Sequence, residues 1–231
     1  MESATRTAAD RPRSAWRLRI GRAHELFGGG IDGNEQLTAM AGVILVALFA
    51  VLGVTILQIG QLIWLHLFLG LLLLGPVALK LASTGYRFAR YYLHTAVYVA
   101  KGPPMLVLRA MGPAFIAATA IVFASGIVLL FEGPRNRATW LSIHKVSFIL
   151  WLVLMGLHLL AHVPGLPRSL RAVRIGGEES PSEGLGGGGA AGRWLALAGA
   201  VVGGVVLAIL LIPHFSLWTA PGAFPHHHHD G

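Results

Sequence analysis

The chain has no cysteine, which excludes disulfide bonds, thiolate-held iron–sulfur clusters and covalent cofactor attachment through a CxxCH motif. Charge is also scarce. Asp, Glu, Lys and Arg together make up only 12% of 231 residues, while 55% are hydrophobic, a balance too apolar for an ordinary soluble domain. Acidic residues are the scarcer sign, 10 against 18 basic ones, for a formal net charge of +8. An HExxH helix, a glycine-rich nucleotide loop and a pair of catalytic carboxylates are all missing, which leaves hydrolytic or nucleotide-dependent activity little support.

What is present is a set of long runs with very little charge. Five of them, at 38–60, 62–82, 114–132, 142–163 and 194–213, each approach the twenty or so residues that a helix needs to cross a bilayer. The fold class expected is therefore all-α, an integral membrane helical bundle. The second run continues without a breaker to Tyr92, and Pro76 inside it removes one helical hydrogen bond and is expected to bend the helix. Residues 1–37 are polar and rich in arginine and lack the short apolar core and cleavage site of a signal peptide, so they read as a basic cytoplasmic segment ahead of the first span.

The basic residues set an expected orientation. Arg6, Arg11, Arg13, Arg17, Arg19 and Arg22 precede the first span, and the turn near Gly60 and Gln61 has no basic residue. Arg87, Arg90, Lys101 and Arg109 follow the second span, and Arg168, Arg171, Arg174 and Arg193 lie between the fourth and fifth. The positive-inside rule places these segments and the N-terminus in the cytoplasm and the C-terminus outside. Arg135 and Arg137 dissent weakly; together with Lys145 they are candidates to meet cofactor carboxylates at the outer surface. Membrane lipid accounts for the net positive charge, and no nucleic acid is needed.

Residues 166–193 contain the stretch GGEESPSEGLGGGGAAG and read as a flexible cytoplasmic linker between a four-span unit at 38–165 and the fifth span at 194–213. That last span carries Gly199, Ala200, Gly203 and Gly204, a close-packing surface for another helix, whether in this chain, in a second copy or in a partner. Residues 214–231 form an extracytoplasmic tail ending in a histidine run, His226 to His229, that no scaffold orders.

Histidine carries the functional expectation. Imidazole is costly in hydrocarbon unless it is paired or coordinated, and such residues mark intramembrane sites. His66 on the second span and His144 on the fourth lie near the starts of two spans that run in the same direction, so they share a depth. Two facing imidazoles at one depth supply both axial ligands of a haem held between bundle helices. Gly70 lies one turn beyond His66, and it and Gly75 leave room either for a flat macrocycle or for another helix. His158 follows His144 by fourteen residues, about 21 Å along a helix and nearly on the same face, which would allow a second haem. His162, eighteen residues after His144, is the alternative ligand there, and spacing does not choose between the two. The position opposite on the second span is Lys80, whose side chain is expected to snorkel to water, so the partner would be His94 or a folded-back loop residue. Trp64, Trp140, Trp151, Tyr86, Tyr91 and Tyr92 suit either an interfacial belt or cofactor contact.

The pieces LHLFLG around His66, GYRFARYY at 85–92, GPPMLVLR at 102–109 and HKVSFILWLVLMGLHLLAH at 144–162 resemble bacterial membrane cytochrome b proteins of the b561, ferric-reductase-like and respiratory oxidoreductase gamma-subunit type, over roughly residues 38–165. The resemblance implies a four-helix cytochrome b-like core plus a fifth transmembrane helix in a bacterial inner membrane. It also implies one or two molecules of haem b on His66, His144 and His158, and electron exchange with quinone or a partner oxidoreductase subunit. Lys80 departs from the pattern for the second haem. The competing reading is a noncatalytic membrane scaffold or sensor that uses its histidines in helix contacts, and a transporter ranks third.

Overall fold

A computed structural model describes residues 30–94, 99, 106–162 and 189–220, with residues 30, 31, 106–110, 161 and 162 described by their backbone alone. Five long helices account for nearly all of it: α1 (Gly30–Leu57), α2 (Ile59–Tyr92), α3 (Leu106–Glu132), α4 (Arg137–His162) and α5 (Ala190–Leu211). A 3₁₀ turn (Ile212–Phe215) and one helical turn, α6 (Ser216–Thr219), follow α5. All five long helices are apolar and long enough to cross a membrane. The chain is an all-α, multi-pass membrane bundle.

The helices start earlier than hydrophobicity alone suggests, because polar residues at their ends remain helical while lying outside the apolar stretch. α1 takes in residues 30–37 of the basic segment, α3 begins well before 114, and α5 absorbs the last residues of the linker. α2 does run on to Tyr92. The non-helical residue inside it is Leu62 (φ −108°, ψ 18°), just after the turn at Gln58, and not a neighbour of Pro76, which is buried within the continuous helix. Restarting the helix at Leu62 sets the face on which His66, four residues later, projects.

Two hairpins form the body. α1 lies along α2, and α3 lies along α4. α5 also packs along α2 and touches α1. Between the hairpins the backbones come close only where α2 briefly meets α3; neither α1 nor α2 runs closely alongside α4. Side chains bridge the remaining distance. Leu45 of α1, Leu73 and Val77 of α2, and Phe123 of α3 form one apolar cluster, and Phe49 of α1 meets Trp151 of α4 with ring centroids 4.7 Å apart. The outward faces stay apolar, as lipid requires: Val146, Ile149 and Leu160 of α4 and Leu195 and Leu210 of α5 are all more than 60% exposed.

The contact of α5 with α2 is a backbone-to-backbone approach. A Cβ built at Gly75 would overlap the carbonyl of Ala200, and one at Gly204 would overlap the carbonyl of Leu72, so glycine on each helix admits the other. Gly75 therefore serves helix packing, whereas a Cβ at Gly70 meets nothing within 4 Å. After α5 the chain does not trail away as a tail. It caps the end of the bundle near His66 and His144, burying Phe215 and Trp218 among residues of α2, α3 and α4, with the Trp218 indole N–H donating to the Leu129 carbonyl at 3.0 Å. The run His226 to His229 lies outside the described residues.

Candidate functional site

His66 and His144 sit one on each hairpin, within electrostatic range of one another. Each is held by the neighbouring helix of its own hairpin. Thr55 of α1 sits 2.9 Å from His66 Nδ1 and donates its own hydroxyl proton to the Leu52 carbonyl at 2.6 Å. A hydroxyl so committed leaves Thr55 Oγ1 to accept from the imidazole, which assigns the ring proton of His66 to Nδ1.

The second hairpin repeats the arrangement. His144 Nδ1 lies 3.1 Å from the Val122 carbonyl and 3.1 Å from Ser125 Oγ, both on α3. A carbonyl only accepts, so Nδ1 again carries the proton; the Ser125 hydroxyl in turn donates to the Ile121 carbonyl at 2.7 Å. Thr55 and Ser125 are each 1% exposed, so these desolvated hydroxyls are satisfied by the adjacent imidazole and by main-chain carbonyls. Gly126 makes room for the second ring: a Cβ there would stand 3.2 Å from His144 Cε1.

In that assignment both imidazoles leave Nε2 unengaged. Neither Nε2 has a hydrogen-bond partner among the described residues. A metal ligand needs that state, since a histidine that coordinates through Nε2 normally donates Nδ1–H to a protein acceptor. Among the described residues no group of three or more His, Cys, Asp or Glu converges on one point. A Cβ at Gly70, one turn beyond His66 and about 40° around the helix, would meet nothing within 4 Å.

The other histidines stand apart. His158, half-buried on α4, stacks on Phe115 of α3 with centroids 5.2 Å apart and planes within 4°. Trp151 fills the interior midway between His144 and His158, with its indole N–H donating to Thr119 Oγ1 at 3.1 Å, so this tryptophan is a core residue and not part of an interfacial belt. Tyr86, Tyr92, Trp64 and Trp140 are exposed as a belt requires. His94 is exposed just past the end of α2 with φ 54°, a left-handed conformation that suits a helix C-terminus but is unusual for histidine. His162 ends α4, and its side chain lies outside the described ones. His214 in the 3₁₀ turn meets Phe131 edge to face, at 4.8 Å and 73°.

Lys80 does not snorkel to water. Its ammonium crosses to α1 and donates to the Thr38 carbonyl at 2.6 Å, in the space left by Gly42. Around it Thr38 donates to the Asn34 carbonyl, Asn34 donates to the Ser83 carbonyl at 3.0 Å, and the Thr38 and Ser83 hydroxyls are 2.9 Å apart. Arg87 pairs with Glu35 at 2.9 Å, and Arg90 lies over the Tyr86 ring.

Thr55, Ser125 and Gly126 were not among the residues that sequence reasoning singled out. A usable signal existed: hydroxyls inside apolar spans, at the depth of the two histidines, on the helices that neighbour them. Comparison with protein families, with curated proteins and with solved structures finds no match at a significant level for any of the three.

Proposed function

We propose that this chain is an integral-membrane b-type cytochrome that carries electrons on one noncovalent haem, with His66 and His144 as its axial ligands. One observation carries the reading: two neighbouring imidazoles, on helices of different hairpins, are each anchored through Nδ1–H and offer an unengaged Nε2. Bound haem supplies a one-electron ferric–ferrous couple. The protein's part is to hold both rings in the coordinating tautomer, to keep water away with the apolar interior and to leave Gly70 and Gly126 as flat walls.

The proposal is for one haem, since the α2 position that would face His158 is occupied by Lys80, which is bonded to Thr38. The reading is of an electron-transfer subunit, with quinone or a partner oxidoreductase subunit exchanging electrons with it. The basic loops favour a bacterial inner membrane with the N-terminus cytoplasmic and the histidine pair toward the outer side. A scaffold or sensor is the second reading, favoured by the fact that the Thr55 and Val122 contacts also tie helices together.

Purification in detergent after expression with excess haem, followed by reduced-minus-oxidised difference spectroscopy and haem counting, separates these. One low-spin, reducible haem per chain, lost in His66→Ala and in His144→Ala and kept in His158→Ala, is the expected result. A folded chain that takes up no haem would leave the scaffold reading standing.

A further inference from the structure

We infer that Thr55 and Ser125 are positioning residues of unequal weight, so that the two axial imidazoles differ in donor strength and Thr55 is the main side-chain control of the site's redox potential. This rests on the haem reading above. Neither residue lies on a ligand helix. Thr55 belongs to α1 and serves His66 of α2; Ser125 belongs to α3 and serves His144 of α4. Each hairpin thus holds its own imidazole through its own neighbouring helix.

The halves are not equivalent. His144 Nδ1–H is shared between a main-chain carbonyl and a hydroxyl, both at 3.1 Å, so removing the Ser125 hydroxyl leaves the Val122 acceptor in place. His66 has the Thr55 hydroxyl and, among the described residues, no other acceptor at Nδ1. Removing that hydroxyl leaves the Nδ1–H unsatisfied in a buried setting and frees the ring to rotate or to change tautomer. Hydrogen bonding at Nδ1–H makes an imidazole a stronger donor, which favours the ferric over the ferrous state. Loss of the Thr55 contact therefore raises the midpoint potential and weakens haem retention, by about 10- to 100-fold in affinity if this acceptor behaves like others that support metal ligands.

The test uses the full-length, haem-loaded protein in detergent and compares Thr55→Val, which keeps the shape and removes the acceptor, with Thr55→Ser, which restores it, and with Ser125→Ala. Redox titration and the rate of haem transfer to excess apomyoglobin are read for each. The expected pattern is an upward potential shift and faster haem loss in Thr55→Val, a return toward wild type in Thr55→Ser, and a smaller change in Ser125→Ala. Unchanged potential and release in Thr55→Val, or a larger effect from Ser125→Ala, overturns the inference while leaving the bis-histidine haem intact. Wild-type protein without haem overturns the underlying reading instead. Should Thr55→Val not accumulate, nitrogen NMR of ¹⁵N-histidine-labelled wild-type apoprotein reads the tautomers directly: protons on Nδ1 of both His66 and His144 are expected, and an Nε2–H tautomer at either position refutes the arrangement.

Discussion

The two ends of the bundle interior handle polar residues in opposite ways. At the end marked by Lys80, the groups close on one another: Asn34, Thr38, Lys80 and Ser83 share hydrogen bonds between α1 and α2, and Glu35 pairs with Arg87 beside them. At the histidine end, hydroxyls and a carbonyl satisfy only Nδ1 of each ring and leave a second nitrogen unengaged. Both ends tie helices together, and only one retains coordinating capacity. The distinction separates a structural polar network from a ligand site more sharply than residue type does, since histidine, threonine and serine by themselves suit either.

Substitutions at the two ends should therefore produce effects of different kinds. The largest effect is expected from His144→Ala, which should remove the haem absorbance entirely; Lys80→Met, measured by the same difference spectrum, should keep it. If Lys80→Met abolished the spectrum, the division between the ends would collapse. Next comes Gly126→Ala, whose methyl group would stand 3.2 Å from His144 Cε1 and should push the ring off its acceptors, lowering haem affinity by about tenfold in an apoprotein titration.

Gly70→Leu is the complementary probe. A Cβ there meets nothing within 4 Å, so the stability of the apoprotein should hold within roughly 0.5 kcal/mol, the usual surface range. Loss of haem uptake in that variant would locate the macrocycle beside His66, and full uptake would place it elsewhere. At the other end, Lys80→Met should cost about 1–2 kcal/mol in thermal unfolding in micelles: the charged hydrogen bond to Thr38 is lost, and relief of a partly buried ammonium offsets part of it. The smallest effect is expected from Trp218→Phe, which keeps the aromatic wedge of the cap but removes the bond to the Leu129 carbonyl, for about 1 kcal/mol by thermal unfolding and no spectral change.

Much of this was legible in the sequence, for reasons that differ by residue. The five spans follow from runs of apolar residues, because a bilayer requires length and apolarity and both are written locally. The extension of α2 to Tyr92 was legible from the lack of a breaker in RFARYY. The expectation that His66 and His144 pair came from matched depth, which helix rise alone supplies. The kink at Leu62 and the deviation of Lys80 were not legible, since snorkelling to water is an average habit and the Thr38 carbonyl with the space at Gly42 is a specific alternative offered only by α1. The glycines show the same limit. Gly75 and Gly70 read alike in the sequence, and the placement of α5 made one a helix contact and left the other beside an open space.

Composition and order along the chain determined that this protein is a multi-pass helical bundle and that imidazoles stand within it, because the cost of exposing backbone or charge to hydrocarbon is set residue by residue. What each imidazole has to offer was decided by tertiary structure alone. The nitrogen that holds the proton depends on acceptors contributed from another helix, by Thr55 in one hairpin and by Val122 and Ser125 in the other, and no spacing within a single helix encodes that partner.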